Sequence, residues 1–436
     1  MRADKTPASS TRLTPANLPT CPPAKRGYPA ISEIQDQVDI LKRNNKSRLS
    51  VVSRDVQSSS IYTDPVIPSL EQLDWSHFLA RPRLPSPDPA VFDVLYREPI
   101  LVTGAGGSIG SELALRLSML MLPKLVLLEA SESNLYTLKR NWKRAGASGP
   151  MTPLLGSIDN LALLERIFAA HKPRVVFHAA AFKHVPLMEE HPLAAISNNI
   201  FGTETLVKVA AANNARVVLL STDKAVEPTS VMGATKRVAE QIVLAAGGVV
   251  LRLGNVLGSR DSVAEIFAEQ IEQGGPITVT SPSARRFFLT LDEAVNLLLI
   301  AAAQPVPGSL LAPVLPATHF VSDLAHFLAD SLAPHQQIAI DFIGARPGDK
   351  DCELLWSSNE PVHPAAHEFG DQAMVYVESP RLAGEQLGAG LANLHTALEA
   401  YDLTAALAHL CWLTPDYRPS PAVQELASQS SQPLNL

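Results

Sequence analysis

The chain has 436 residues, a net charge of −7 and three cysteines. That length accommodates one large α/β domain with a smaller lobe and tails, and the acidic balance without a dense Lys/Arg tract excludes nucleic-acid binding through bulk charge. Cys21, Cys352 and Cys411 lie far apart and lack metal-ligand spacing, which excludes a disulfide framework and fits a reducing, cytoplasmic compartment.

Residues 1–66 are rich in Pro, Ser, Thr and charge and predict a disordered or loosely packed leader. Arg2 and Lys5 are not followed by the apolar run of a signal peptide. Ile31, Ile34, Val38 and Leu41 are spaced for a short docking helix. Leu73, Trp75, Phe92, Leu95 and Tyr96 anchor an ordered lead-in. Short apolar runs at 99–102, 125–128, 174–178, 216–220 and 249–252 then alternate with helical patterns. Continuous apolar strands separated by helices predict a doubly wound parallel sheet covered on both faces. No internal repeat is visible. No stretch reaches the roughly 18–20 apolar residues of a membrane helix; the strongest, 113–128, is broken by Arg116, Pro123 and Lys124. The chain therefore reads as soluble, without a membrane segment. Helices near 387–413 are expected to pack back onto the body, and 419–436 to form a loose tail.

The first strand runs into Thr103-Gly104-Ala105-Gly106-Gly107-Ser108-Ile109-Gly110, followed by a helical pattern. Glycine is needed where the backbone turns sharply and where a pyrophosphate approaches without a Cβ in the way. The helix N-terminus then offers free N–H groups to the phosphates. In strand–loop–helix context, Gly104, Gly107, Ser108, Ile109 and Gly110 predict a dinucleotide site in a Rossmann domain over 67–250. Glu129 ends the second strand, 22 residues after Gly107. A carboxylate there accepts from a ribose 2′-hydroxyl and repels a 2′-phosphate, which favours NAD over NADP. Asp159, in Ser157-Ile158-Asp159, is placed at the adenine edge, and Ala179, Ala180 and Ala181 let the chain pass close to the cofactor.

Leu220-Ser221-Thr222-Asp223-Lys224 precedes Met232-Gly233-Ala234-Thr235-Lys236. A short-chain dehydrogenase would carry Tyr-x-x-x-Lys at the second segment, but here the Tyr position is Met232. A thioether has no proton to exchange near neutral pH. Either the site is dead or its neighbours do the acid–base work, and Asp223 and Lys224 are adjacent and available. His171, His191, His335, His363 and His367 have no metal spacing, and no metal is expected.

These motifs resemble, in order, those of the nucleotide-sugar 4,6-dehydratases among the extended short-chain dehydrogenases. The similarity is greatest to the capsular-polysaccharide type acting on UDP-N-acetylglucosamine, in the branch that carries Met at the Tyr position. The segments are 102–113, 178–186, 199–203, 221–225, 232–236, 252–259 and 346–350, and the resemblance covers roughly three quarters of the chain. Larger members carry membrane helices upstream where this chain has its polar leader. Arg260-Asp261-Ser262 departs from the shorter, more apolar turn expected there. The resemblance implies NAD-mediated oxidation at carbon 4 of a UDP-sugar, loss of the carbon 5 proton and carbon 6 hydroxyl, and hydride return to carbon 6. Asp223 is then the acid, Lys224 the base, Lys236 the holder of the nicotinamide ribose, and Thr222 the partner of the carbon 4 hydroxyl. The acceptor of that hydroxyl's proton is left open among Thr222, Asp223 and a bound water. Asn199 is assigned to the cofactor. Lys183 and His184 are assigned to the substrate, Asn255 and Arg286 to its uracil or phosphates, and Arg346 to the pyrophosphate or ribose. A substrate lobe with closing helices is expected over 251–418, and a homo-oligomer in solution. Two other readings stay open: a UDP-sugar 4-epimerase, which normally uses Tyr at position 232, and a non-catalytic NAD or sugar-nucleotide sensor.

Overall fold

Val, Ile and Leu crowd the segments after Pro99, and these segments become the strands of one sheet. The structure is a computed structural model and describes residues 70–430 except Met121, Ser148, Pro305 and 366–373. The expected leader and docking helix lie outside the described residues. The strands are β1 (Ile100–Thr103), β2 (Leu125–Glu129), β3 (Met151–Leu155), β4 (Val175–His178), β5 (Arg216–Thr222), β6 (Val249–Leu253), β7 (Asn255–Leu257) and β8 (Ile277–Val279). They continue as β9 (Arg285–Arg286), β10 (Phe288–Thr290), β11 (Leu310–Pro313), β12 (His319–Phe320), β13 (Ile340–Phe342), β14 (Val362–Pro364) and β15 (Met374–Val377).

Nine of these form the main sheet, in the order β14-β15-β11-β6-β5-β4-β1-β2-β3. From β3 to β11 the pairings are parallel, and β15 and β14 add antiparallel strands at the far edge. The chain leaves β1 toward β2 and later resumes on the other side at β4. That reversal opens a crevice at the carboxyl ends of β1 and β4, where ligands of such sheets sit. β3 was not legible in the sequence because Pro153 interrupts it. It lies at the sheet edge, where a missing N–H is tolerated.

Apolar helices cover both faces. Helices Leu161–His171, Thr203–Ala212, Val231–Ala245, Gly384–Glu399 and Leu403–Leu413 pack on one side. Helices Pro89–Leu95, Ser108–Ser118, Glu132–Arg144 and Leu291–Ala302 pack on the other. A smaller core around Phe267, Phe288, Leu324 and Leu328 joins the helices Val263–Glu272 and Val321–Leu332 to the lead-in helix Trp75–Leu79. Arg81 of the lead-in is held by Glu293, with Nη1–Oε1 at 2.7 Å and Nη2–Oε2 at 3.0 Å.

Two expectations are corrected. The boundary at 250/251 falls inside β6, and β11, β14 and β15 belong to the main sheet. Leu310, Leu311 and Ala312 are buried, and β11 covers the edge that β6 would otherwise expose. The tail beyond 419 is also not loose throughout, because Pro421–Ser430 is a helix with Val423 and Ala427 buried. Pro421 starts that helix in the position where its missing N–H costs nothing. Ser420 Oγ donates to Glu189 Oε2 at 2.5 Å, and Glu189 Oε1 accepts from the Val231 N–H at 2.7 Å. The tail is thereby tied to the start of the helix that carries Met232 and Lys236.

Candidate active site

Gly104 leaves β1 at φ +65°, and a Cβ there would lie 2.7 Å from the Ala180 backbone. Glycine lets the two turns touch, and the helix Ser108–Ser118 begins at Gly107. Ser108, Ile109 and Gly110 line one wall of a cavity of about 740 Å³, and Ala179, Ala180 and Ala181 line the opposite turn. This cradle fits a dinucleotide. Glu129 also lines it, but both of its oxygens already accept backbone N–H groups, Gly106 at 2.8 Å and Ser131 at 3.0 Å. Its carboxylate therefore shapes the glycine loop from the cavity wall.

At the end of β5 the chain turns through Thr222, Asp223 and Lys224. The Asp223 carboxylate is fully buried. Its Oδ1 accepts from Thr222 Oγ at 2.9 Å and from Lys224 Nζ at 3.0 Å. Its Oδ2 has no hydrogen-bond partner among the described residues. Lys224 Nζ also donates to Asn255 Oδ1 at 3.0 Å and lies 3.7 Å from Glu353 Oε1. Burial pushes the Asp223 carboxyl up and Glu353 adds to this, while Lys224 opposes it. Burial alone would lower the Lys224 ammonium, but Asp223 and Glu353 outweigh it and hold the amine protonated beyond its ordinary range. The sequence left that balance open; burial wins at Asp223 and the pairing wins at Lys224.

The helix Val231–Ala245 starts at Ser230, whose hydroxyl accepts from the Gly233 N–H, and brings Met232 and Lys236 to the same cavity. Met232 is packed at 4% exposure. Lys236 Nζ donates to the Leu220 carbonyl at 2.7 Å, and burial lowers its pKa to about 8, with Glu240 in partial opposition. It is cationic at neutral pH.

Thr222, Lys224, Lys236, Lys183, His184, Asn255, Arg286 and Arg346 all line this cavity, together with the glycine loop. Three predicted residues do not. Asp223 lies behind Thr222. Asp159 is exposed, and the wall there is formed by Gly156, Ser157 and Ile158, because Ile158 turns inward. Asn199 is buried and grips the turn after β4, accepting from the Phe182 N–H at 2.8 Å and donating to the Phe182 carbonyl at 3.1 Å and to Thr235 Oγ at 3.1 Å. It supports the cradle from behind.

Arg260 is more central than the sequence indicated. Its guanidinium donates to the Gly106 carbonyl and to Asn134 Oδ1 at 2.7 Å, and its N–H donates to Ser108 Oγ at 2.9 Å. Lys183 Nζ donates to the Arg260 carbonyl. The turn after β7 thus straps the glycine loop. Glu353 was missed altogether; its one signal was its place three residues after Lys350 in the 346–350 motif.

A dinucleotide cradle at the β1/β4 reversal, with Thr222, Lys224 and Lys236 on its rim, defines a protein of the extended short-chain dehydrogenase fold. Residues 100–374 match the family described as "Polysaccharide biosynthesis protein", and the chain belongs to that family. It is 40% identical over 293 residues to the capsular polysaccharide biosynthesis protein CapD of Staphylococcus aureus, covering 64% of this chain and 49% of CapD. It thus spans about half the length of that relative. It is 34% identical over 286 residues to a UDP-glucose 4-epimerase of Rickettsia canadensis, covering 62% of this chain and 81% of that protein. Among solved structures, Pen from Bacillus thuringiensis superposes with a TM-score of 0.59 at 28% identity, covering 70% of this chain and 99% of Pen. Among the described residues, no helix is long and apolar enough to cross a membrane.

Proposed function

We propose that the chain is a nucleotide-sugar 4,6-dehydratase that acts on UDP-N-acetylglucosamine with NAD as resident cofactor. The observation that carries this reading is the pairing of the buried Asp223 with the half-buried Lys224, 3.0 Å apart, in a site where Met232 can transfer no proton. When bound, NAD supplies reversible hydride storage, which makes an elimination redox-neutral. Gly104 to Gly110 cradle its phosphates, and the Lys236 ammonium holds the ribose and favours loss of the carbon 4 hydroxyl proton.

The 4-keto sugar has an acidified proton on carbon 5. Passage of one proton along the Lys224–Asp223 hydrogen bond leaves a neutral amine and a protonated carboxyl. The amine takes the carbon 5 proton. Thr222 Oγ, 2.9 Å from Asp223 Oδ1, relays the carboxyl proton to the departing carbon 6 hydroxyl, which leaves as water. Elimination leaves an ammonium beside a carboxylate. As hydride would return to carbon 6, the Lys224 ammonium reprotonates carbon 5, and the proton released from the carbon 4 hydroxyl restores the ammonium. The pair thus ends as it began, and the net change is loss of one water. A sugar that displaces water from the cavity favours the neutral pair, because separated charges lose most on desolvation. Arg286 and Arg346 line the cavity and would hold the diphosphate.

The relationship to a named UDP-glucose 4-epimerase favours a second reading, reversible epimerisation in the same cavity. Mass spectrometry of the product after incubation with UDP-N-acetylglucosamine separates the two. A dehydratase yields a species lighter by one water, and an epimerase yields one of unchanged mass.

A further inference from the structure

Glu353 is a buried carboxylate that the proposed reaction does not yet use. It is 2% exposed and lies far from Lys224 in sequence, yet it stands behind that side chain at the wall of the cavity. A carboxylate is almost never buried without a reason tied to its partners. Its Oε1 is 3.7 Å from Lys224 Nζ and its Oε2 is 3.2 Å from Lys350 Nζ. Lys350 Nζ is itself fixed by donation to the Val226 carbonyl at 2.6 Å, just past the Thr222–Lys224 turn. The backbone before Glu353 is pinned as well: the Arg285 N–H donates to the Asp351 carbonyl at 2.6 Å and Arg286 Nη1 donates to the same oxygen at 3.2 Å. The carboxylate is therefore held in place by its own segment, independently of Lys224.

We propose that Glu353 is a positioning residue for the elimination, a second buried carboxylate that fixes the Lys224 ammonium at the cavity wall and governs when it gives up its proton. The inference rests on the dehydratase reading for its consequence in catalysis, but not for its geometry. Asp223 on its own turn, Glu353 on the segment after Lys350 and Arg286 on β9 are the charged groups acting on Lys224. Asn255 on β7 is its neutral fourth neighbour. Asp223 is also the acid of the proposed step, so it cannot hold the ammonium throughout. Glu353 is withdrawn from the cavity and stays ionised, because Lys224, Lys350 and Arg286 outweigh the effect of its burial. It can keep Lys224 in register while the Asp223 proton moves.

The test reads the Lys224 amine directly. Reductive methylation of the full chain by formaldehyde and borohydride, followed by peptide mass spectrometry, gives the pH midpoint at which Lys224 becomes reactive. Replacing Glu353 with Gln removes one nearby negative charge and lowers that midpoint by about 1–3 pH units, the usual effect of one opposite charge at this range. The Lys236 midpoint serves as an internal control and stays put. The acidic limb of the kcat/KM profile for dehydration moves the same way, a change that a merely structural role would not produce. If Glu353→Gln does not fold, Glu353→Asp, which keeps the charge but draws it back by one carbon, lowers the midpoint by a smaller step. An unchanged Lys224 midpoint in a folded variant that still binds NAD overturns the proposal. A shifted midpoint in a protein that yields no dehydrated product leaves it standing and overturns the dehydratase reading instead.

Discussion

Lys224 is a cation lodged among Asp223, Glu353 and Asn255, and its chemistry follows from that company. The same pairing that keeps it protonated at rest provides the short path by which its proton reaches Asp223. Replacing Asp223 with Asn or Lys224 with Met should cost at least about 10²-fold in turnover, the usual scale for a positioned acid or base, while NAD binding survives in a calorimetric titration. Met232→Leu keeps the packing and should cost far less. Equal damage from Met232→Leu, or full activity in Lys224→Met, would refute these roles. The sequence made Thr222, Lys224 and Lys236 legible because motif spacing fixes where strand and helix ends meet. It misplaced Asp159 and Asn199 because spacing does not say which of two neighbouring side chains turns inward. Glu353 was hidden because its approach to Lys224 is set by tertiary packing alone.

Between elements, one buried ion cluster locks β5, β6 and the Lys236 helix to the segment before β14. Arg252 on β6 donates to Glu240 through Nε and Nη2, each at 2.9 Å, and to Glu360 through Nη1 at 2.8 Å and Nη2 at 3.0 Å. Ser221 Oγ, one residue before Thr222, donates to Glu240 Oε1 at 2.6 Å. Arg252→Met would leave two buried carboxylates with reduced compensation, at a cost of about 3–5 kcal/mol. Urea unfolding should show that loss, and a change below about 1 kcal/mol, the scale of an exposed pair, would contradict the cluster's role. The sequence showed β6 as an apolar run but gave no sign that its one arginine would be fully buried. The strands at 99–102, 125–128, 174–178, 216–220 and 249–252 were legible because burial on both faces demands continuous apolar residues. β14 and β15 were not: β14 is exposed and β15 is short, with buried and half-buried positions mixed.

At the scale of the whole molecule, the sheet and its helical cover meet at His178. Its Nδ1 contacts Thr103 Oγ at 2.8 Å and its Nε2 contacts Thr203 Oγ at 2.9 Å. Thr203 Oγ donates to the Asn199 carbonyl, so it accepts from Nε2–H, and in the neutral ring Nδ1 accepts from the Thr103 hydroxyl. Burial, with Lys236 adding, lowers the His178 pKa from 6.5 to about 3. The unfolded chain therefore binds a proton that the folded chain refuses. The contribution is constant above pH 6.5, and stability falls as the pH drops from there toward 3, by about 1.4 kcal/mol per pH unit from this group. Denaturant midpoints measured from pH 7 to 4 should fall accordingly, and His178→Gln should flatten the slope; equal slopes would show that this ring does not set the acid limit. The central claim concerns the active-site cavity, and the most direct measurement is mass spectrometry of UDP-N-acetylglucosamine incubated with the protein and NAD in deuterated water. The account predicts a product lighter by one water, carrying solvent deuterium at carbon 5, with no net reduction of NAD. A product of unchanged mass, or a dehydrated sugar without deuterium at carbon 5, would contradict it.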